Sequence, residues 1–280
     1  ERESSVFASL LHTTWKDYKI NIIDTPGYDD FAGEVISALR VADTGVIVLN
    51  AAMGVEVGTD ITWEYTNTFK TPTIFVVNQL DNADADFERT LADAKAHFGP
   101  NVVAVQYPVQ TGSGFNCIVD VLNMVMYKYG PDGGKPEKLQ IPDAEKPRAE
   151  QLHKELIETI ASNDENLMEK YFDQGELTEE EMKAGLHESM IRHDIFPLFC
   201  ASAEKNMGIG RIMSFIDYVC PAAYEMPAQK TKAGAELPCD VKGPACIFIF
   251  KTIIEPHIGE LSLFKVFSGS IKGGSELINE

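Results

Sequence analysis

Three short groups of residues carry the chemistry this sequence could do: Asp24-Thr25-Pro26-Gly27, Asn78-Gln79-Leu80-Asp81 and Ser202-Ala203. Each follows an apolar run, NIID, TIFVVN and FPLFC in turn. An aspartate at a strand end can reach a divalent cation, usually through water. A glycine after Thr-Pro offers its backbone N–H to a phosphate with no Cβ in the way. The Asp81 carboxylate could accept two hydrogen bonds from the N1 and N2 edge of guanine, a donor pair that adenine lacks. Singly, each group has a plainer reading, DTPG as a Pro-Gly surface turn and NQLD as a loop with a helix-capping aspartate. In this order, with helical stretches between them, they read together as a nucleotide site.

The periodicities around them supply the positioning elements. Residues from about Val6 to Ile23 predict a hairpin turning near Lys16, Asp17 and Tyr18, and Phe31, Val35, Leu39 and Ala42 share one helical face. GVIVLN, Gly45 to Asn50, and TIFVVN, Thr73 to Asn78, are continuous β-branched runs of the kind found in buried parallel strands. Helices are expected over about Gly58 to Phe69 and Ala85 to Phe98. Val102 to Val109 predicts a further strand, Ile195 to Cys200 a short buried one, and Ile209 to Val219 a helix stopped by Pro221. This alternation predicts a doubly wound α/β sheet whose strand ends carry all three groups.

The middle of the chain differs. Gly114 to Tyr127 is β-rich, and GPDGGKPEKLQIPDAEKPR reads as a loop. Two helical patterns follow, about Glu150 to Tyr171 and Thr178 to Arg192, the second opening with a capping box and three glutamates at the positive end of the helix dipole. Ala228 to Gly243 reads as a polar linker. ACIFIFKTII and ELSLFKVFSG read as antiparallel strands of a new β domain.

Composition narrows the partners. The chain has 280 residues, 44% of them hydrophobic, enough for about two domains with their own cores. Lys and Arg total 24 against 43 Asp and Glu, a net charge of -19, which argues against wrapping bare nucleic acid by charge alone and favours a basic protein partner. Cys117, Cys200, Cys220, Cys239 and Cys246 form no CxxC pair and no zinc spacing with histidine, so they read as reduced. No apolar stretch approaches the roughly 18 residues that cross a bilayer, and no signal-peptide pattern opens the chain. A cytoplasmic protein with no membrane and no DNA among its partners is the expectation.

With these residues in view, the sequence resembles the translational GTPases, most closely bacterial elongation factor G. KINIIDTPGYDDFAGEVISALRVADTGVIVLNAAMGVE looks like the switch II region and the strand after it. The likeness continues through FVVNQLDNADADF, GFNCIVDVL, ENLMEKYF, ELTEEEMKAGL, FPLFCASAEKNMGI and HIGELSLFKVFSG. IVDVL and LMEKYF resemble the G prime subdomain that this family inserts in its G domain. The resemblance implies a P-loop GTPase-type G domain over residues 1–104 and 194–227, an inserted α+β G prime subdomain over 105–193, a linker over 228–243 and the start of a β-barrel domain over 244–280. It implies GTP or GDP with magnesium as cofactors. Asp24, Gly27, Asn78, Gln79, Asp81, Ser202 and Ala203 would contact the nucleotide, and Ser5 and, through water, Asp24 would serve magnesium. It implies a monomeric factor acting on the ribosome in translocation or recycling, meeting ribosomal RNA and the stalk protein. The acidic start of the second helical pattern, Glu179, Glu180 and Glu181, is either a stalk-facing surface or a solvated helix face.

The sequence departs from that family at identifiable points. Arg2, Glu3, Ser4 and Ser5 stand where the family usually has Arg-Gly-Ile-Thr, so Ser5 replaces a threonine that reaches magnesium, and Ser4 an isoleucine that walls the attacking water. Tyr28 occupies the place of the water-orienting histidine. An imidazole can both donate and accept near neutral pH, whereas a phenol is bulkier and carries one oxygen farther from the backbone. Gln79 replaces a lysine that lies along the guanine ring. No GxxxxGK[ST] occurs, so the phosphate cradle is expected upstream of residue 1, in a longer protein of which this chain is an internal fragment, inactive alone. Two functions stay open: a ribosome-dependent GTPase, and a GTP-dependent ribosome-binding switch that hydrolyses little.

Overall fold

The structure is a computed structural model that describes residues 4–231 and 234–278; Arg2 and Glu3 lie outside the described residues. The chain opens with a hairpin, β1 (Ser9–Trp15) and β2 (Tyr18–Asp24), whose turn at Lys16 and Asp17 places Lys16 in the left-handed region at φ 51°. Next come α1 (Ala32–Leu39), β3 (Gly45–Asn50), α2 (Val57–Phe69), β4 (Thr73–Asn78) and α3 (Phe87–Phe98).

The run from Val102 to Val109, expected as one strand, is two strands in two sheets: β5 (Val102–Ala104) and β6 (Gln106–Pro108). Val105 between them gives its N–H to Leu198 O at 3.0 Å and accepts the Val121 N–H at 2.9 Å, so it bonds to both sheets. Every residue of the two strands is buried, which is why hydropathy alone does not show the break. β6 leads an antiparallel sheet in the order β6, β7 (Cys117–Asp120), β8 (Val125–Lys128), β9 (Glu137–Leu139). β9 lies inside the stretch read as a loop.

The single helical pattern over Glu150 to Tyr171 is also two elements, α4 (Lys146–Ala161) and α5 (Glu165–Gln174). Asp164 between them is extended, and its carboxylate accepts the N–H groups of Asn166 and Leu167 at 2.9 and 3.0 Å, capping α5. The expected capping box opens α6 (Glu179–Ile191), with Thr178 and Glu181 bonding each other's N–H groups at 3.3 and 2.9 Å. β10 (Phe196–Cys200) and α7 (Ile209–Tyr218) return the chain to the first sheet.

That sheet is parallel, in the order β3, β4, β10, β5. β10 slots between β4 and β5 although α4 to α6 separate it from them in sequence, and this crossover sets Ser202 beside Asn78. Two expectations are corrected. β3 is an edge strand among the described residues, with Val46 and Val48 47% and 57% exposed, so it is not buried on both faces. β2 pairs only with β1 among the described residues, so Asp24 does not end a strand of this sheet. The hairpin instead seats its tip on α7: Lys16 Nζ lies 2.9 Å from Asp217, and a Cβ on Gly210 would stand 3.4 Å from the Trp15 ring.

A small antiparallel pair, β11 (Gln229–Lys230) and β12 (Glu236–Leu237), interrupts the expected linker, and β13 (Cys246–Glu255) with β14 (Gly259–Ser268) forms the expected antiparallel strands. The long hairpin clamps α1. Lys251 Nζ meets Glu34 at 2.6 Å, Lys265 Nζ meets Val41 O at 2.8 Å, and the Arg40 guanidinium lies 4.9 Å over Phe248. One continuous apolar core runs from Ile47 and Phe75 through Tyr107 and Phe115 to Leu156, Leu186 and Phe215, so both sheets share it. No helix among the described residues is long and apolar enough to cross a membrane.

Candidate functional site

The site begins where β4 ends. Asn78 lies opposite Asn50 of β3, and the next residue, Gln79, has φ 62°, a left-handed conformation that a non-glycine residue seldom adopts. This sharp turn drives Leu80 into the core, where its N–H reaches Ala201 O at 3.3 Å and its carbonyl accepts the Gly112 N–H at 2.8 Å. Asp81 is thereby fixed above the ends of β4 and β10.

The loop after β10 faces it. Ser202 and Met207 exchange two backbone hydrogen bonds of 3.0 and 2.9 Å, closing a tight turn. Gly208 lets the chain turn back at φ 87°, where a Cβ would collide with Cys200 O at 2.2 Å. The N–H of Ala203 donates to Asn78 Oδ1 at 2.9 Å, so one side chain joins the two loops. Burial by itself would raise the Asp81 carboxyl, but the Ser202 hydroxyl, the Asp81 backbone N–H and the Lys205 ammonium at 3.5 Å outweigh it and hold the group below its ordinary value. An ionised carboxylate therefore stands beside an ordered backbone donor.

Two participants went unrecognised in the sequence. Lys205 pairs with Asp81, and its only signal was its place in the loop after Ser202-Ala203. Asn50 donates from Nδ2 to Gln79 Oε1 at 3.1 Å while its Oδ1 accepts the Ala52 N–H at 2.9 Å, so it anchors the strained Gln79. Its signal was a polar residue closing the apolar run GVIVLN.

The loop after β2 is built separately. Pro26 is buried, Asp24, Gly27 and Tyr28 are exposed, and Tyr28, 63% exposed, stands at the head of a short 3-10 turn, Asp29–Phe31. The first turn of α2 forms its wall. A Cβ on Gly58 would lie 2.8 Å from Asp29 Oδ1 and 3.1 Å from Gly27 O, so the glycine permits this close approach. Gly58 is a third residue that sequence reasoning missed. Ser5 is exposed just ahead of β1. The structure thus brings Asn78, Gln79, Asp81, Ser202 and Ala203 into one cluster. Among the described residues, no hydrogen bond or ion pair ties Ser5, Asp24, Gly27 or Tyr28 to it.

Comparison with known proteins shows the family and the fold. Residues 1–222 match the family model of the elongation factor Tu GTP binding domain. Among solved structures, the chain matches the crystal structure of ttk003000868 from Thermus thermophilus with a TM-score of 0.84 and 26% sequence identity. The match covers 97% of this chain and 39% of that one, so the chain spans about two fifths of the length of that protein.

Proposed function

The chain belongs to the family of the elongation factor Tu GTP-binding domain, has that domain's α/β fold followed by a β-rich region, and on that premise we propose that it serves a translation factor of the elongation factor G type. In this reading the protein is monomeric and cytoplasmic, binds GTP or GDP with magnesium, and acts on the ribosome in translocation or recycling. The observation that carries it is the Asn78 to Ala203 tie, which sets an ionised Asp81 carboxylate and the Ala203 N–H on one site. Asp81 would accept from guanine N1–H and N2–H, the Ala203 N–H would turn from Asn78 Oδ1 to O6, and Ser202 would keep Asp81 aimed. Gln79 would lay its stem along the base.

Magnesium held mainly by phosphate and water needs only one or two protein groups. Asp24 fits that role, since its exposed carboxylate makes no hydrogen bond to the described residues, and Ser5 would add a hydroxyl. When bound, the cation would neutralise charge on the phosphates. Gly27 would give its N–H to the γ-phosphate, so loss of that group would release the loop.

Affinity measurements on the longer protein expected to join this chain to its phosphate cradle test this directly. GDP should bind much more tightly than ADP, and Asp81→Asn should shift preference toward xanthosine diphosphate, because an amide can donate to the xanthine O2. Equal affinity for GDP and ADP in the parent would refute the base assignment.

A second reading, a GTP-dependent ribosome-binding switch with little hydrolysis, is favoured by Tyr28. Its solvent-facing ring replaces an imidazole able to orient water, and phosphoryl transfer depends mainly on such positioning. The partners proposed are ribosomal RNA and the stalk protein. The acidic turn of α6 is a weak candidate for the stalk contact. Glu179 pairs with Lys183, and Lys170 and the Thr178 cap hold Glu181 down at about 2, so these two carboxylates are spent within the helix pair.

A further inference from the structure

The antiparallel sheet grips the loop that follows β10. The Gly134 N–H donates to Asn206 O at 2.8 Å. Gly133 approaches so closely that a Cβ there would stand 1.8 Å from Lys205 O and 2.8 Å from Asn206 O. Just beyond the loop, Arg211 in the first turn of α7 sets its guanidinium 3.7 Å from the buried Asp120 carboxylate of β7 and 4.4 Å over the Tyr127 ring of β8. Asp120 is steadied by the backbone and side-chain N–H groups of Asn123, each at 2.9 Å. Met207 lies between these two grips and is bonded back to Ser202, and Lys205 belongs to the first grip. Inside the loop only a few bonds keep its shape: the Ser202 and Met207 pair, Asn206 N–H to Ala203 O at 3.1 Å, and Lys205 N–H to Ser202 Oγ at 3.3 Å.

We propose that the turn at 130–134 and the Asp120–Arg211 pair form a brace through which the antiparallel sheet positions the loop at 202–206. Residues remote from any nucleotide contact then set how firmly a guanine base is held. The functional half rests on the guanine-nucleotide reading above; the structural half stands without it. Gly133, Asp120 and Arg211 are thus positioning residues, and anything that shifts the antiparallel sheet also shifts the Ala203 donor.

Two adjacent glycines provide a matched test. Both have positive φ, 66° and 78°, so alanine strains the backbone at either. Only Gly133 collides, because a Cβ on Gly134 would meet nothing nearer than Asn206 Nδ2 at 3.9 Å. Two quantities are measured in the longer protein expected to join this chain to its phosphate cradle: amide hydrogen exchange at Ala203 and Met207 without nucleotide, and the release rate of a fluorescent GDP. Gly133→Ala should speed both by about tenfold or more, and Gly134→Ala should leave both within about twofold of the parent, as expected for a change confined to local opening. Asp120→Asn, which keeps the volume and loses the charge, should fall between them. A folded Gly133→Ala with exchange like that of Gly134→Ala overturns the brace. Should Gly133→Ala fail to fold, unchanged exchange in Asp120→Asn overturns it instead. Faster exchange with unchanged GDP release overturns the functional half alone. A parent that binds no GDP refutes the nucleotide reading, while the exchange data still decide the brace.

Discussion

Replacing Gly58 by alanine should separate stability from nucleotide sensing. Gly58 lies in the first turn of α2 with an ordinary helical backbone, so alanine fits without strain and gains up to ~1 kcal/mol of helix propensity. Its methyl group would lie 2.8 Å from Asp29 Oδ1, which can rotate away, and 3.1 Å from Gly27 O, which is backbone and must give by a few tenths of an ångström. The two effects oppose each other, and the net change in stability should stay within ~1 kcal/mol, a melting shift of about 4 °C at most. Gly27 is the proposed γ-phosphate donor. A charge-assisted hydrogen bond is worth ~1.5–3 kcal/mol, and losing half of it lowers triphosphate affinity by roughly 5-fold. Affinity for GDP, which lacks the γ-phosphate, should hold. The assay is a paired titration with GDP and a non-hydrolysable GTP analogue beside a thermal melt. An equal loss for both nucleotides, or no loss for the triphosphate, would refute the reasoning.

Two other predictions concern the scaffold. Burial on its own would raise the Glu34 carboxyl, but Lys251 and the Ala8 N–H outweigh it and hold the group below its ordinary value. A carboxyl depressed in the folded state contributes stability that is present above its unfolded value and lost as pH falls through the folded one. Acid should therefore loosen the β13–β14 hairpin from α1, and Lys251→Met should flatten that part of the stability profile measured by denaturant titration between neutral pH and pH about 3. Asp164→Ala removes the acceptor of two N–H groups and should cost ~1 kcal/mol. Because α5 contains no buried residue, the loss should show as faster exchange at Asn166 and Leu167 with little change in global melting; protection equal to the parent's would contradict the cap.

Sequence pattern revealed the elements where one periodicity ran unbroken. β4 matches its apolar run from Thr73 to Asn78, and the Thr178 to Glu181 signature gave the capping box. It failed where two elements share one hydropathy signature. Val102 to Val109 is apolar but for Gln106, so little marked Val105 as the residue that changes sheets, and a helical period spanning Glu150 to Tyr171 hid the Asp164 cap. The clustering of Asn78, Gln79, Asp81, Ser202 and Ala203 was legible because these residues sit on short loops at strand ends. Asn50, Gly58 and Lys205 were not, since each acts through a neighbour that only the crossover of β10 or the approach of α2 brings near.

The most direct measurement is ribosome-stimulated phosphate release from GTP, compared between the protein and its Tyr28→His variant. Restoring an imidazole that orients water should raise a slow parental rate by about 10²-fold or more, and both rates should depend on ribosomes. A parent that already turns over rapidly and gains nothing from histidine would contradict the role given to Tyr28, and absence of ribosome-dependent release from both would contradict the assignment to a ribosomal GTPase.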